Sequence, residues 1–157
     1  MVILSMDQST RVSGWAVFKG RAYVDSGVID LHKIKDTSER SKQMGLEICE
    51  KLKEIKPDLL ILEETQCQSN VDTVKKLSRI QGMAIGFAAA FGIETKIVEP
   101  SKWRAALGYH QGPKVSREEL KQQSFDYVEK HFGLDVLEDE AEAICQNVAA
   151  QLLFDGI

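Results

Sequence analysis

Two short apolar runs constrain this 157-residue chain more than any other feature. The first, Val2-Ile3-Leu4-Ser5-Met6, stops at a carboxylate, Asp7; the second, Leu59-Leu60-Ile61-Leu62, stops at Glu63 and Glu64. Runs this short read as strands. A hairpin and a helix separate them, so the second strand is expected to return parallel to the first through a right-handed crossover. Laid side by side, the two strands bring Asp7 and Glu63 or Glu64 to one rim of a sheet, where α/β folds carry their catalytic groups. Asp7 is the only acid among the first 24 residues, so it belongs to no general scatter of charge. A side chain that merely opens a turn is the competing reading of Asp7.

The remaining elements follow in order. Trp15–Phe18 and Ala22–Leu31 read as hairpin strands with Gly20 in the turn, completing an antiparallel meander whose third strand alternates only in part. Thr37 or Ser38 is expected to cap a helix in which Met44, Ile48, Leu52 and Ile55 recur at helical spacing until Pro57. Thr65–Asn70 reads as a polar loop. A long helix spans Val71–Phe91, with Val74, Leu77, Ile80, Ala84, Phe87 or Ala88, and Phe91 on its inner stripe. Its second half is dense in Gly82, Ala84, Gly86 and Ala88-Ala89-Ala90, which suits either a dimer contact or close internal packing. Gly92 ends it, and Thr95–Val98 is a fifth strand. A short helix at Pro100–Leu107, a loop at Gly108–Pro113 and a helix from Ser116 to Phe132 come next, the last capped by Ser116 and stopped by Gly133. The final helix runs from Glu138 to Phe154, with Ala141, Ile144, Val148 and Leu152 on one stripe. This order predicts a single α/β domain over residues 1–157.

Composition narrows the function class. No apolar run approaches the ~20 residues of a membrane span, and no charged segment followed by a long apolar one opens the chain as a secretory signal. Cys49, Cys67 and Cys145 stand far apart, in no CxxC or Cys/His spacing, which suits buried free thiols in a reducing cytoplasm and argues against disulfides or zinc. His32, His110 and His131 are scattered and carry no assigned role. A net charge of −4 speaks against a nucleic-acid binder, but its distribution is uneven. Lys102, Arg104, Lys114 and Arg117 fall in a stretch without acids, whereas Gly133 to the end holds six acids and no Lys or Arg. A basic binding surface beside an acidic pocket gives this pattern, and so does plain helix-face decoration.

Asp139 and Glu142 lie three residues apart at the start of the last helix and share a face. Acids there favour the helix dipole. Ala141, Ala143 and Ile144, however, make this end look buried against the sheet, where a carboxylate pair is costly unless a cation compensates it.

Taken together, these features resemble the RuvC-type Holliday junction resolvases of the ribonuclease H-like superfamily, nearly from end to end. Asp7 followed by Ser9-Thr10-Arg11-Val12-Ser13-Gly14-Trp15 is similar to the family's first motif. Glu63, with Asn70 seven residues and Gly82 nineteen residues beyond it, fits the second and selects Glu63 over Glu64. Pro100-Ser101-Lys102-Trp103-Arg104 with Gly108, and Asp139-Glu140-Ala141-Glu142-Ala143, resemble the two later motifs. The resemblance implies a five-stranded mixed sheet flanked by helices, a cytoplasmic homodimer joined through the helix Val71–Phe91, and an endonuclease that binds branched DNA and resolves four-way junctions by paired nicks.

An oxygen-only set of Asp7, Glu63, Asp139 and Glu142 suits Mg²⁺, with Mn²⁺ as substitute. Two ions per site, ~4 Å apart, would drive phosphodiester hydrolysis. By family position Asp7 would bridge both ions, Glu63 and Asp139 would each hold one, and Glu142 would either complete a site or support it from outside the ligand set. Glu142 stands where the family has Asp. Gln66 stands where some relatives carry an aromatic that stacks on a base. Lys102, Arg104, Lys114 and Arg117 are the expected phosphate contacts, with Gln66 a further DNA-contact candidate. Two alternatives share the same residues: a nuclease of the superfamily acting on forks or structured RNA, and a junction-binding scaffold with weak catalysis. An actin-like sugar kinase, suggested by Asp7-Gln8-Ser9-Thr10, would need a second large domain that 157 residues do not supply.

Overall fold

The computed structural model describes residues 1–66 and 70–154. Its elements are β1 (Val2–Asp7), β2 (Val12–Lys19), β3 (Ala22–Asp30), α1 (Thr37–Ile55), β4 (Leu59–Glu63), α2 (Val71–Ala90), β5 (Glu94–Val98), α3 (Pro100–Ala106), α4 (Arg117–Phe132) and α5 (Glu138–Leu153). The sheet has five strands in the order β3-β2-β1-β4-β5. β1–β2 and β2–β3 pair antiparallel, β1–β4 and β4–β5 parallel. The mixed sheet and the meander expected from the sequence are both present. Among the described residues no helix is long and apolar enough to cross a membrane.

The apolar runs are continuous because β1 and β4 are covered on both faces. Successive side chains point to opposite faces. Leu4, Met6, Leu60 and Leu62 therefore pack with Met44, Ile48 and Leu52 of α1 and Ile80, Ala84 and Ala88 of α2. Ile3, Leu59 and Ile61 pack on the other side with Trp103 of α3, Val128 of α4 and Ala141, Ile144 and Cys145 of α5. β3, at the edge, is covered far less, and its pairing with β2 shifts register between Val17 and Phe18, which accounts for its incomplete alternation.

α5 is tied to the centre of the sheet by polar contacts inside this second layer. Ser5 is fully buried, and its hydroxyl donates to Ala143 O at 2.7 Å. The buried Asn147 donates to Ser5 Oγ at 3.1 Å and reaches Ile3 O at 3.3 Å. Each contact satisfies a group that would otherwise be stranded in the core. Gly14, paired with Asp7 across the β1–β2 ladder, lets the first turn of α5 come against the strand. A Cβ at Gly14 would lie 1.8 Å from Asp139 O, an impossible approach.

Several boundaries differ from those expected from the sequence. Asp36, rather than Thr37 or Ser38, caps α1: its Oδ1 accepts from Glu39 N at 2.8 Å, which puts Thr37 and Ser38 in the first turn. α2 stops at Ala90, and Phe91 becomes a 43% exposed cap residue rather than the end of the inner stripe. Leu152 is 60% exposed, because α5 emerges from the layer before its last turn. Instead of a narrow apolar stripe, α5 buries Ala141, Ala143 to Asn147, Ala149 and Ala150, including the polar Gln146 and Asn147. Ser116 caps α4 in a capping box with Glu119, and Gly133 closes it at φ 66°, as expected. Cys49 and Cys145 are buried free thiols; Cys67 lies outside the described residues.

The Gly14 contact is testable. Gly14→Ala is expected to destabilise the fold by about 1–3 kcal/mol or more through overpacking against the backbone of α5. Urea unfolding measures this, and an unchanged midpoint would show that α5 does not sit on Gly14.

Candidate active site

β1 and β4 end at one level. The parallel ladder pairs Met6 with Leu62, so Asp7 and Glu63 emerge side by side. Alternation puts Asp7 on the face of Ile3 and Ser5, and Glu63 on the face of Leu59 and Ile61, both toward α5. Glu64 is exposed and does not line the cleft that Asp7 and Glu63 share with Asp139 and Glu142. The first turn of α5 brings Asp139 and Glu142, and all four carboxylates line one cleft of about 570 Å³.

The turn that mounts Asp7 is fixed internally. Ser9 N donates to Ser13 Oγ at 2.8 Å, and the same hydroxyl donates back to Ser9 O at 3.0 Å. Arg40 of α1, only 7% exposed, donates through Nε to Thr10 O at 3.0 Å and through Nη1 to Ile34 O at 2.9 Å. Glu63 is held from several sides. The Gln8 amide donates to Glu63 O and accepts from Glu63 N, extending the β1–β4 ladder by a side-chain rung. Gln81 of α2 donates to Glu63 O at 2.9 Å. Trp103 of α3 donates its indole N–H to Glu63 Oε2 at 2.7 Å, and Gln146 of α5 reaches the same oxygen at 3.3 Å. Sequence patterns alone assign no role to Arg40, Gln81 or Gln146, and they include Gln8 and Trp103 only as parts of motifs.

The carboxylates disfavour one another's charge. Burial raises the Asp7 carboxyl well above the usual range, and the charges of Glu142, Glu63 and Asp139 raise it further. Burial pushes Glu63 up to about 7, against the pull of the Trp103 hydrogen bond and the Arg104 charge. Asp139 is pushed up to about 6 by burial and then by Glu138 and Glu142. Arg104 is the near cation: its Nη2 is 3.7 Å from Glu142 Oε1, with both side chains mostly buried. That distance is a charge contact rather than a hydrogen bond. Arg104 Nε is buried without a hydrogen-bond partner among the described residues.

Of the predicted DNA-contact residues, Arg104, Arg117 and Gln66 line the cleft. Lys102 and Lys114 do not. Lys102 is exposed and pairs with Glu99 at 2.8 Å, and Lys114 lies exposed in the segment before α4. Arg11, Arg40 and Lys76 line the cleft instead, so it has an acidic floor under a cationic rim. Among the described residues no group of three or more His, Cys, Asp or Glu side chains stands at metal-ligating spacing. The four acids are nonetheless close enough to raise the Asp7 pKa together. They are a gathered donor set rather than a closed ligand shell. Four carboxylate groups, with Arg104 in charge contact and Arg117 and Lys121 acting from farther off, make a hard, oxygen-rich site, which fits a divalent cation such as Mg²⁺.

No family model matches the chain. In sequence it is similar to the crossover junction endodeoxyribonuclease RuvC of Shewanella frigidimarina, 31% identical over 110 residues, spanning 68% of this chain and 63% of that protein. The chain thus matches somewhat under two thirds of that relative's length. RuvC of Alkaliphilus metalliredigens is 25% identical over 150 residues, 92% of each chain. Among solved structures, Thermus thermophilus RuvC in complex with Holliday junction substrate superposes with a TM-score of 0.75 at 16% identity, covering 97% of this chain and 93% of that one. The yeast mitochondrial Holliday junction resolvase superposes at 0.59 with 13% identity, covering 96% and 80%. At those identities the structural likeness establishes the ribonuclease H-like fold. The sequence likeness points the same way: the chain is similar to the RuvC crossover junction endodeoxyribonucleases, and its fold is similar to that of solved RuvC.

Proposed function

We propose that this chain is a metal-dependent endodeoxyribonuclease that resolves four-way DNA junctions by paired nicks. The observation that carries this reading is the convergence of Asp7, Glu63, Asp139 and Glu142 from three separated segments on one cleft with a cationic rim. The relatives' names, crossover junction endodeoxyribonuclease, support the choice of substrate.

Asp7, Glu63, Asp139 and Glu142 would hold two Mg²⁺ ions, with Mn²⁺ able to replace them. The bound cations supply Lewis acidity toward the phosphoryl oxygen and a water of lowered pKa. The chain's own residues do the rest. Arg11, Lys76 and Arg117 on the rim bind phosphates beside the scissile one and fix the strand's register. Arg104, deeper in the cleft, offsets carboxylate charge and faces the incoming phosphate. The Ser9–Ser13 bonds and the Arg40 clamp keep the Asp7 mount from yielding as charge enters. A homodimer would supply the second site that paired nicking needs. The exposed face of α2 suits that contact, because a Cβ added at Gly82 or Gly86 meets nothing within 4 Å and another helix has room to approach.

An immobile four-way junction with labelled strands tests the reading. With Mg²⁺ the protein is expected to place symmetric nicks on opposing strands and to leave plain duplex and RNA largely uncut. Asp7→Asn is expected to bind the junction as the wild type does and to cut at least 100-fold more slowly. Near-normal cutting by that variant would contradict the assignment. Asp7→Asn also has a stability signature. The site carboxyls have folded pKa values above the unfolded values of about 4, so their protonated forms favour folding. Metal-free protein is therefore expected to lose stability as pH rises from about 4 through 7, and Asp7→Asn to lose less. Thermal melts in chelator across that range decide the matter.

Salt dependence separates the cations. Replacing Arg11 and Arg117 by Ala is expected to reduce the slope of log K against log salt by about 0.9 for each phosphate that is no longer neutralised. Replacing Lys102 and Lys114, which lie outside the cleft, is expected to change it less. Equal changes for the two pairs would show that the cleft rim is not the phosphate track.

A further inference from the structure

Glu63 offers two oxygens, and among the described residues only one of them is engaged. Oε2 accepts the Trp103 indole N–H at 2.7 Å and the Gln146 amide N–H at 3.3 Å. Among the described residues no donor reaches Oε1, and Glu63 lines the cleft. Neither donor is free to move away. Trp103 is fully buried, with Tyr109 edge-on to its ring at 5.4 Å and the Arg104 guanidinium 4.8 Å from the ring centre. Gln146 is also fully buried, one helical turn beyond Glu142, and its Oε1 has no hydrogen-bond partner among the described residues. Leaving a buried amide carbonyl unpaired costs about 1–3 kcal/mol. The amide is thus turned to serve Glu63 at the expense of its own acceptor, the kind of local conflict that marks a functional position.

We propose that Trp103 and Gln146 form a clamp that restricts Glu63 to ligation through Oε1, and that this clamp sets the site's preference for Mg²⁺ over Ca²⁺. The proposal rests on the reading of the cleft as a metal site. Mg²⁺ takes six ligands in near-octahedral order, keeps several waters and suits carboxylates that offer one oxygen. Ca²⁺ takes six to eight oxygens and readily accepts a carboxylate through both. Two N–H donors on Oε2 remove the second mode. The backbone contacts from Gln8 and Gln81 hold the peptide of Glu63, so the side chain cannot escape the clamp by shifting its strand. Trp103 and Gln146 are positioning residues: they act on the ion through Glu63. Outer contacts of this kind typically alter metal affinity by about 10–100-fold when removed.

Titration calorimetry with MgCl₂ and CaCl₂ on DNA-free protein tests this without any activity readout. Trp103→Phe keeps the ring and removes the donor; Gln146→Met keeps the volume and removes the amide. Each is expected to raise the Ca²⁺ affinity relative to Mg²⁺, by about tenfold for the shorter Trp103 bond and less for Gln146. General loosening of the site weakens both ions alike and leaves the ratio unchanged, and an unchanged ratio in both variants overturns the clamp. Asp7→Asn separates the two levels of the account. Wild-type binding that this variant abolishes, together with an unshifted ratio, refutes the clamp alone. Wild-type binding that Asp7→Asn does not touch, or no binding at all, overturns the metal site and the clamp together.

Discussion

The docking of α5 across β1 and β2 is the constraint on which the rest depends. It puts the backbone of Asp139 against Gly14, hydrogen-bonds Ala143 O to the buried Ser5, and ties Asn147 to the same hydroxyl. Ser5 lies two residues before Asp7 on one face of β1, so the bond that seats the helix also sets its first turn opposite Asp7. Asp139 and Glu142 arrive at the cleft by this route. A helix seated one turn away would leave Asp7 and Glu63 as two acids at a strand rim with no partners.

Gathering carboxylates in this way is unfavourable in the free protein, as their raised pKa values show. The fold tolerates it through rigidity and through nearby cations, Arg104 first, with Arg117 and Lys121 beyond it. Glu63 is held by contacts to its backbone from Gln8 and Gln81 and to its side chain from Trp103 and Gln146. Arg104 offsets part of the charge from 3.7 Å. A carboxylate set held rigid against its own repulsion is pre-organised for the cation we propose there, and on that reading stability is exchanged for readiness.

Much of this was legible in the sequence where a physical pattern repeats. β1 and β4 are covered on both faces, so their runs are continuously apolar and stand out; their terminal acids stand out with them. Resemblance and spacing chose Glu63 over Glu64, and it is Glu63 that lines the cleft with the other three acids. The supporting shell was not legible. Gln8, Arg40, Gln81 and Gln146 are ordinary polar residues in one dimension, and only tertiary proximity gives them a role. A faint signal did exist for Gln146: it lies four residues after Glu142 and seven after Asp139, on the acids' own helical face. The cap of α1 was misplaced by one residue because Asp36, Thr37 and Ser38 are all good capping residues and the register of the first turn decides among them. Charge clustering along the chain pointed to Lys102 and Lys114, whereas the cleft draws Arg11, Arg40 and Lys76 from three other segments.

Diffraction from crystals grown with MnCl₂, measured near the manganese absorption edge, addresses the central claim most directly. Anomalous density among Asp7, Glu63, Asp139 and Glu142, with the Glu63 oxygen that faces away from Trp103 nearest the metal, is the predicted result. Manganese bound only elsewhere, or none in the cleft at millimolar concentration, would contradict the account.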